Sequence, residues 1–223
     1  MIETLFPDLS RADARRVTRQ MRLTTMRNAM LLRAMHYFGL RSVRLLLMPD
    51  HSIAKVQPPV IFGTFHIGVP HALGVAMERL PHEALVLRRR ASARAQRKNV
   101  RVVETGETDE QRALAFHRAA SHLLGGGVAL MALDPEHAAR IAAPFFGRTI
   151  LLARGAFALA RVARVPIVPL VARWRGLRLE TVCGAPIAAA SEQEMADAAA
   201  KWLEAYLRDQ PGQTSARVLE LLR

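Results

Sequence analysis

Two polar residues stand where an alternating strand and helix pattern would place a ligand. His66 follows a short apolar run at 60–65 and precedes an expected helix over 71–80, while Asp134 ends a second apolar run at 128–133. In open α/β sheets, ligands bind outside the carboxyl ends of the strands. Polar side chains delivered there from separate strands are therefore ligand-site candidates. The alternative for His66 is a simple cap on the following helix, and the spacing leaves both readings open. Other chemistries are easier to set aside. His66 and His71 are five residues apart, not at the i, i+4 spacing that puts two metal ligands on one helical face. No third ligand accompanies them, which argues against zinc. His36, His51, His82, His117 and His122 are scattered and read as surface or helix residues. Gly125, Gly126 and Gly127 precede a strand instead of joining strand to helix, so they do not form a phosphate-cradling loop. No Gly-x-Ser-x-Gly elbow is present, which disfavours a serine hydrolase. Cys183 lies in an apolar run and reads as an inert buried thiol.

The candidates need elements to hold them. A helix is expected from Ser10 onward, with Asp13 completing its cap and Gly39 ending it. Val17, Met21, Leu31, Met35 and Phe38 fall on one stripe of that helix, with most arginines off it. Beyond Pro58 and Pro59 the pattern alternates. Strands are expected at 60–65, 83–88, 100–104, 128–133, 165–174 and 177–182. Helices are expected at 71–80, at 108–124 with a Thr108/Gln111 capping box, at 150–164, and from a Ser191/Glu194 cap to about Arg208. Such alternation predicts an α/β fold, a layered sheet flanked by helices. No repeat or low-complexity linker interrupts it, so residues 1–223 read as one domain, with 1–50 a basic amphipathic helical segment packed on the core.

Composition narrows the function classes. At 223 residues and 51% hydrophobic, the chain can bury a core and is not disordered. A single cysteine excludes a disulfide framework and points to a reducing compartment. The longest stretch without Asp, Glu, Lys or Arg, 56–77, holds several prolines and two histidines and does not read as a membrane span. Lys plus Arg number 32 against 19 Asp plus Glu, a net +13. That excess favours an anionic partner: nucleic acid, an anionic membrane, a phosphorylated substrate or an acidic carrier protein. Aromatics at 5% and the lack of any finger, helix-turn-helix or ribonucleoprotein signature argue against nucleic acid. The basic amphipathic first helix suits an anionic bilayer or simply covers a core.

Taken in order, several motifs resemble the lysophospholipid acyltransferase superfamily, and within it the late acyltransferases of lipid A biosynthesis. Phe6-Pro7-Asp8-Leu9 and the Arg-rich helix look like the family's opening segment. Phe62-Gly63-Thr64-Phe65-His66-Ile67-Gly68 looks like the strand and turn that carry its catalytic histidine. Asp134-Pro135-Glu136 occupies the place of an acidic pair. Pro144-Phe145-Phe146-Gly147-Arg148 matches the most specific motif, followed by Val165-Pro166-Ile167-Val168-Pro169 and the closing Asp209-Gln210-Pro211-Gly212-Gln213. The resemblance implies a layered mixed β-sheet of the glycerolipid and lipid A acyltransferase type. It also implies acyl transfer from an acyl carrier protein or acyl-CoA thioester to an acceptor, without a cofactor. His66 would be the general base, with Asp134 and Glu136 as acidic partners. Phe145, Phe146 and Arg148 would bind substrate, and the basic stretch including Arg88, Arg90, Arg94, Arg97, Lys98 and Arg101 would dock an acidic carrier or phosphates.

The sequence departs from the family pattern at the residue five after the histidine, where His71 replaces Asp or Glu. A neutral imidazole supplies no negative charge to steady His66, and a protonated one would lower its basicity. Three explanations follow: Asp134 or Glu136 supplies the carboxylate, the acceptor is an amine that needs less help than a hydroxyl, or the protein binds acyl chains without catalysis. The chain also begins almost at the Phe-Pro segment, where the family carries a membrane anchor, and Thr214-Ser215-Ala216 replaces an aromatic cluster. The expected location is the cytoplasm, with the inner face of the membrane as the second candidate. The expected activity is acyl transfer to an amine or hydroxyl acceptor, and the alternative is a catalytically degenerate acyl-binding or membrane-docking protein.

Overall fold

Strand-forming runs of Val, Ile and Leu set the centre of the molecule. The computed structural model describes residues 5–6, 9–49, 52–89, 99–134, 139–215, 218 and 220–221. Within them, eight strands are joined by helices: β1 (Val60–Thr64), β2 (Ala84–Arg88), β3 (Val100–Glu104), β4 (Val128–Ala132), β5 (Arg140–Phe145), β6 (Arg148–Ala153), β7 (Ile167–Arg175) and β8 (Arg178–Cys183). The helices are α1 (Arg11–Phe38), α2 (Arg41–Leu46), α3 (Pro70–Met77), α4 (Asp109–Leu124), α5 (Arg154–Ala163) and α6 (Glu192–Asp209). Six strands form one sheet in the order β3-β2-β4-β1-β7-β8, all parallel except the antiparallel β7–β8 edge. The expected mixed sheet flanked by helices is the fold observed.

Alternation along the strands divides the apolar residues between two clusters. Val60 and Phe62 of β1, with Val128 and Leu130 of β4, face Ala72, Leu73 and Met77 of α3. Ile61 and Ala129 belong to the other cluster, beside Ala119 and Leu123 of α4, Phe157 of α5 and Leu203 of α6. A strand buried on both faces reads as a continuous apolar run, which is how β1 and β4 read. Helix α1 contributes to both clusters, with Ala14 and Val17 in one and Leu31 in the other. The Ser10 side chain accepts from the Asp13 backbone N–H at 3.1 Å to cap it, and Gly39 ends it at φ 61°.

Three expectations need correction. Residues 150–153 belong to strand β6 and are not the first turn of a helix, because residues 140–145 pair with β6 through a tight turn at Phe146-Gly147. Both turn residues have positive φ, 49° and 69°, the geometry of a two-residue hairpin turn that Asn-Gly usually signals and Phe-Gly does not. Phe38, placed on the buried stripe of α1, is 69% exposed, whereas Leu31 on the same stripe is 4% exposed. Cys183 ends β8 half-buried instead of buried, where the Ser52 hydroxyl donates to its sulfur at 3.6 Å. Among the described residues, no helix is long and apolar enough to cross a membrane.

Candidate functional site

Strand register brings the two candidates together. β1 and β4 are parallel neighbours with Thr64 opposite Ala132, so His66 and Asp134 each emerge two residues beyond the last pair. The Leu133 backbone N–H donates to the Thr64 carbonyl at 2.7 Å and extends the alignment past the strand ends. His66 Nδ1 then meets Asp134 Oδ1 at 2.7 Å, and Asp134 Oδ2 accepts from the His66 backbone N–H at 2.8 Å. The carboxylate is fully buried, whereas half of the imidazole side chain is exposed. An ionised carboxylate can only accept, so the ring proton belongs on Nδ1 and Nε2 is the acceptor nitrogen of a half-exposed ring. A hydrogen bond to a charged group is worth about 1.5–3 kcal/mol, enough to fix ring orientation and tautomer together. His66 does not cap the next helix; Val69 is the N-cap of α3 and Pro70 its first residue.

The turn behind His66 is held from three sides. Gly68 sits at φ +59°, and a Cβ there would lie 2.1 Å from the Ala172 carbonyl of β7, so only glycine fits. Val69 N–H donates to that same carbonyl at 2.7 Å. From α1, Asn28 Nδ2 donates to the Gly68 carbonyl at 2.7 Å while its Oδ1 accepts from Trp174 Nε1 at 2.8 Å. From the C-terminal segment, Ser215 Oγ donates to the His66 carbonyl at 3.0 Å. Sequence reasoning missed Asn28, Trp174 and Ser215 as positioning residues. Asn28 did leave a signal: it is a polar residue on the Val17–Met21–Leu31–Met35 stripe of α1.

The remaining candidates distribute unevenly. His71 lies on the first turn of α3, exposed, and is held below the ordinary imidazole range by partial desolvation, then by the Arg88 charge, then by the His66 ring. It is thereby kept neutral, and the carboxylate that meets His66 is Asp134. Arg88 ends β2 on the same sheet edge, since β2 and β4 run parallel with Val86 opposite Leu130. Arg101 does not join it. It is the second residue of β3, near the amino edge of the sheet, and pairs with Glu83 at 3.5 Å. Phe145 is fully buried in the core, packed edge-on against Phe146, which in turn meets Phe6. The Phe146 N–H donates to Glu204 Oε2 at 2.6 Å, and the Arg208 guanidinium lies 4.7 Å from its ring centroid. Arg148 is exposed beside the hairpin turn. That turn is the end of the β5–β6 hairpin opposite the one tied to β4, where Ala153 N–H donates to the Leu133 carbonyl at 2.7 Å. Glu136, Arg90, Arg94, Arg97 and Lys98 lie outside the described residues.

No protein-family model matches the chain, and no curated protein matches its sequence. Among solved structures, its fold is similar to that of the 1-acyl-sn-glycerophosphate acyltransferase PlsC from Thermotoga maritima. The TM-score is 0.50 at 12% identity, covering 95% of this chain and 87% of that one. Identity at that level establishes a shared fold.

Proposed function

We propose that this protein transfers an acyl group from a thioester to an amine or hydroxyl acceptor, with His66 as general base. The carrying observation is the 2.7 Å contact between His66 Nδ1 and buried Asp134, which makes Nε2 the acceptor nitrogen of a half-exposed ring at a sheet edge suited to ligands. A fold in common with an acyltransferase supports the reaction class. The ordered motifs from Phe6 to Gln213 favour the branch of lipid A late acyltransferases.

In this scheme Nε2 takes the acceptor proton as the acceptor nitrogen or oxygen bonds to the thioester carbonyl carbon. The carbonyl π electrons move onto oxygen, return to expel the thiolate, and Nε2 gives the proton to the departing sulfur. Asp134 keeps Nδ1–H oriented and stabilises the transient imidazolium, the function a buried acid serves beside any catalytic histidine. Arg88 supplies positive charge for the oxyanion or for an anionic part of the acceptor. His71 contacts the acceptor as a neutral imidazole. The donor is an acyl carrier protein or acyl-CoA thioester, and no cofactor enters. Incubating the protein with a panel of such thioesters and following acyl loss by mass spectrometry tests the reading. Loss that disappears in His66→Ala is the expected result; equal rates in both proteins would overturn it.

An anionic membrane surface is the proposed second partner, with the chain in the cytoplasm or at the inner face. Leu23, Met26, Met30 and Tyr37 are 42%, 52%, 62% and 78% exposed along one ridge of α1, flanked by Arg19, Arg22 and Arg33. Sedimentation with phosphatidylglycerol vesicles should fall in a Met26→Glu/Met30→Glu variant, and unchanged sedimentation would remove the membrane from the scheme.

A further inference from the structure

One peptide unit beside His66 is clamped between the first helix and the sheet. Gly68 and Val69 share that unit. Its carbonyl accepts from Asn28 Nδ2 of α1 at 2.7 Å, and its N–H donates to the Ala172 carbonyl of β7 at 2.7 Å. Asn28 Oδ1 in turn accepts from the indole N–H of Trp174, two residues further along β7, at 2.8 Å. The hydrogen bonds therefore close a ring that runs from α1 through the His66 turn to β7 and back. The Arg27 guanidinium lies over the same indole, 5.9 Å from its ring centroid.

The direction of the amide in this ring is fixed. An indole N–H can only donate, so Trp174 takes Oδ1 and leaves Nδ2 for the Gly68 carbonyl. Asp134 fixes the entry to the turn, through the ring and the backbone N–H of His66. The exit is a glycine at φ +59°, a residue with no side chain to restrict it, so its peptide plane is set by outside partners. Beyond that plane starts α3, with His71 on its first turn. Helix α1 also reaches the turn by a second route. Thr24, four residues before Asn28 and on the same face, donates through Oγ1 to the Gly212 carbonyl at 3.3 Å. The segment that follows Gly212 brings Ser215 Oγ to the His66 carbonyl at 3.0 Å. A polar side chain on a mostly apolar stripe is costly unless paired, and both ends of the Asn28 amide are paired.

We propose that Asn28 is a positioning residue for acyl transfer: by holding the Gly68–Val69 peptide against β7, it sets the His66 ring relative to the first turn of α3, where the acceptor is placed. Helix α1 is then part of the active site and not only its cover. The role rests on the acyl-transfer reading of His66, whereas the ring of hydrogen bonds does not.

Kinetics of acyl loss from lauroyl-, myristoyl- and palmitoyl-CoA, measured on the full chain, test the role. Asn28→Ala should lower kcat by about tenfold or more and leave the donor KM within about twofold, because misplacing a reacting group costs rate more than binding. Asn28→Asp still accepts from Trp174 but cannot donate to Gly68, so it should fall as far. Trp174→Phe keeps an aromatic ring and frees the amide to turn, and it should lose less. Asn28→Ala combined with Trp174→Phe should be no slower than Asn28→Ala alone. The pH midpoint of the acid limb of kcat/KM should not move, since Asp134 still holds the ring. Thr18→Ala removes a hydroxyl that donates to the Ala14 carbonyl within α1 and should leave kcat unchanged. Independently of turnover, exchange of the Val69 amide hydrogen should quicken in Asn28→Ala. Should that variant fail to fold, Asn28→Asp and Trp174→Phe carry the same measurements. Turnover that is lost in His66→Ala but unchanged in folded Asn28 variants would overturn the positioning role alone, as would a raised KM at constant kcat. No turnover in the wild-type chain would overturn the reaction and the role with it, while Val69 exchange would still report on the ring.

Discussion

Two regions of this molecule are built around a nearly buried carboxylate and behave oppositely. Asp134 is paired with the His66 imidazole, a ring with a second nitrogen that can accept a proton. Glu192 holds two partners, Arg154 and Arg161, which keep their charge at any working pH. The first arrangement sets an acceptor nitrogen on a half-exposed ring and can move a proton. The second is an ion-pair cluster that ties α5 to α6. What a buried carboxylate does at a surface is decided by the partner it steadies.

The largest expected effect comes from breaking the first pair. Asp134→Asn preserves shape but removes the charge that fixes the His66 tautomer, and by the logic of buried catalytic acids acyl transfer should fall by about 10³-fold or more. A double variant with His66→Ala should be no slower than His66→Ala alone, since the two act as a unit. A near-wild-type kcat for Asp134→Asn would mean that the contact is structural.

Breaking the second pair should act on stability instead. Glu192→Gln leaves the Arg154 and Arg161 guanidiniums without the carboxylate they share, so the urea midpoint should fall modestly. An unchanged midpoint would show that these ion pairs hold nothing. Acyl transfer should change little in this variant.

The smallest effect concerns His71. Its folded-state pKa is lowered, by partial desolvation first and then by Arg88 and His66, so the unfolded chain binds its proton more readily. That contribution to stability is fully present above the ordinary value of 6.5 and is lost as pH falls from there through the lowered folded value. His71→Gln should flatten this part of the acid limb in urea titrations between pH 7 and 5. An unchanged limb would assign the acid loss to other groups. The exposure of His71 keeps the difference small.

The sequence made the strand runs, the caps at Ser10, Thr108 and Ser191, and the sheet-flanked architecture legible, because each rests on local pattern: apolar continuity, a hydroxyl three residues before its partner, glycine at a turn. It also put His66 and Asp134 at strand ends. The β5–β6 hairpin was not legible, since an apolar run such as 150–153 suits helix or strand until a partner strand lies beside it. Arg101 illustrates the same limit: lying in one basic stretch with Arg88, it is carried by its own strand to the opposite edge of the sheet. Residue types and strand ends were therefore determined by the chain alone. Tertiary structure decided that β4 is the neighbour of β1, in the register that sets Thr64 against Ala132. That choice places Asp134, 68 residues away in sequence, against the His66 ring in place of His71, because a carboxylate can accept the Nδ1 proton and carry charge while an imidazole held neutral cannot.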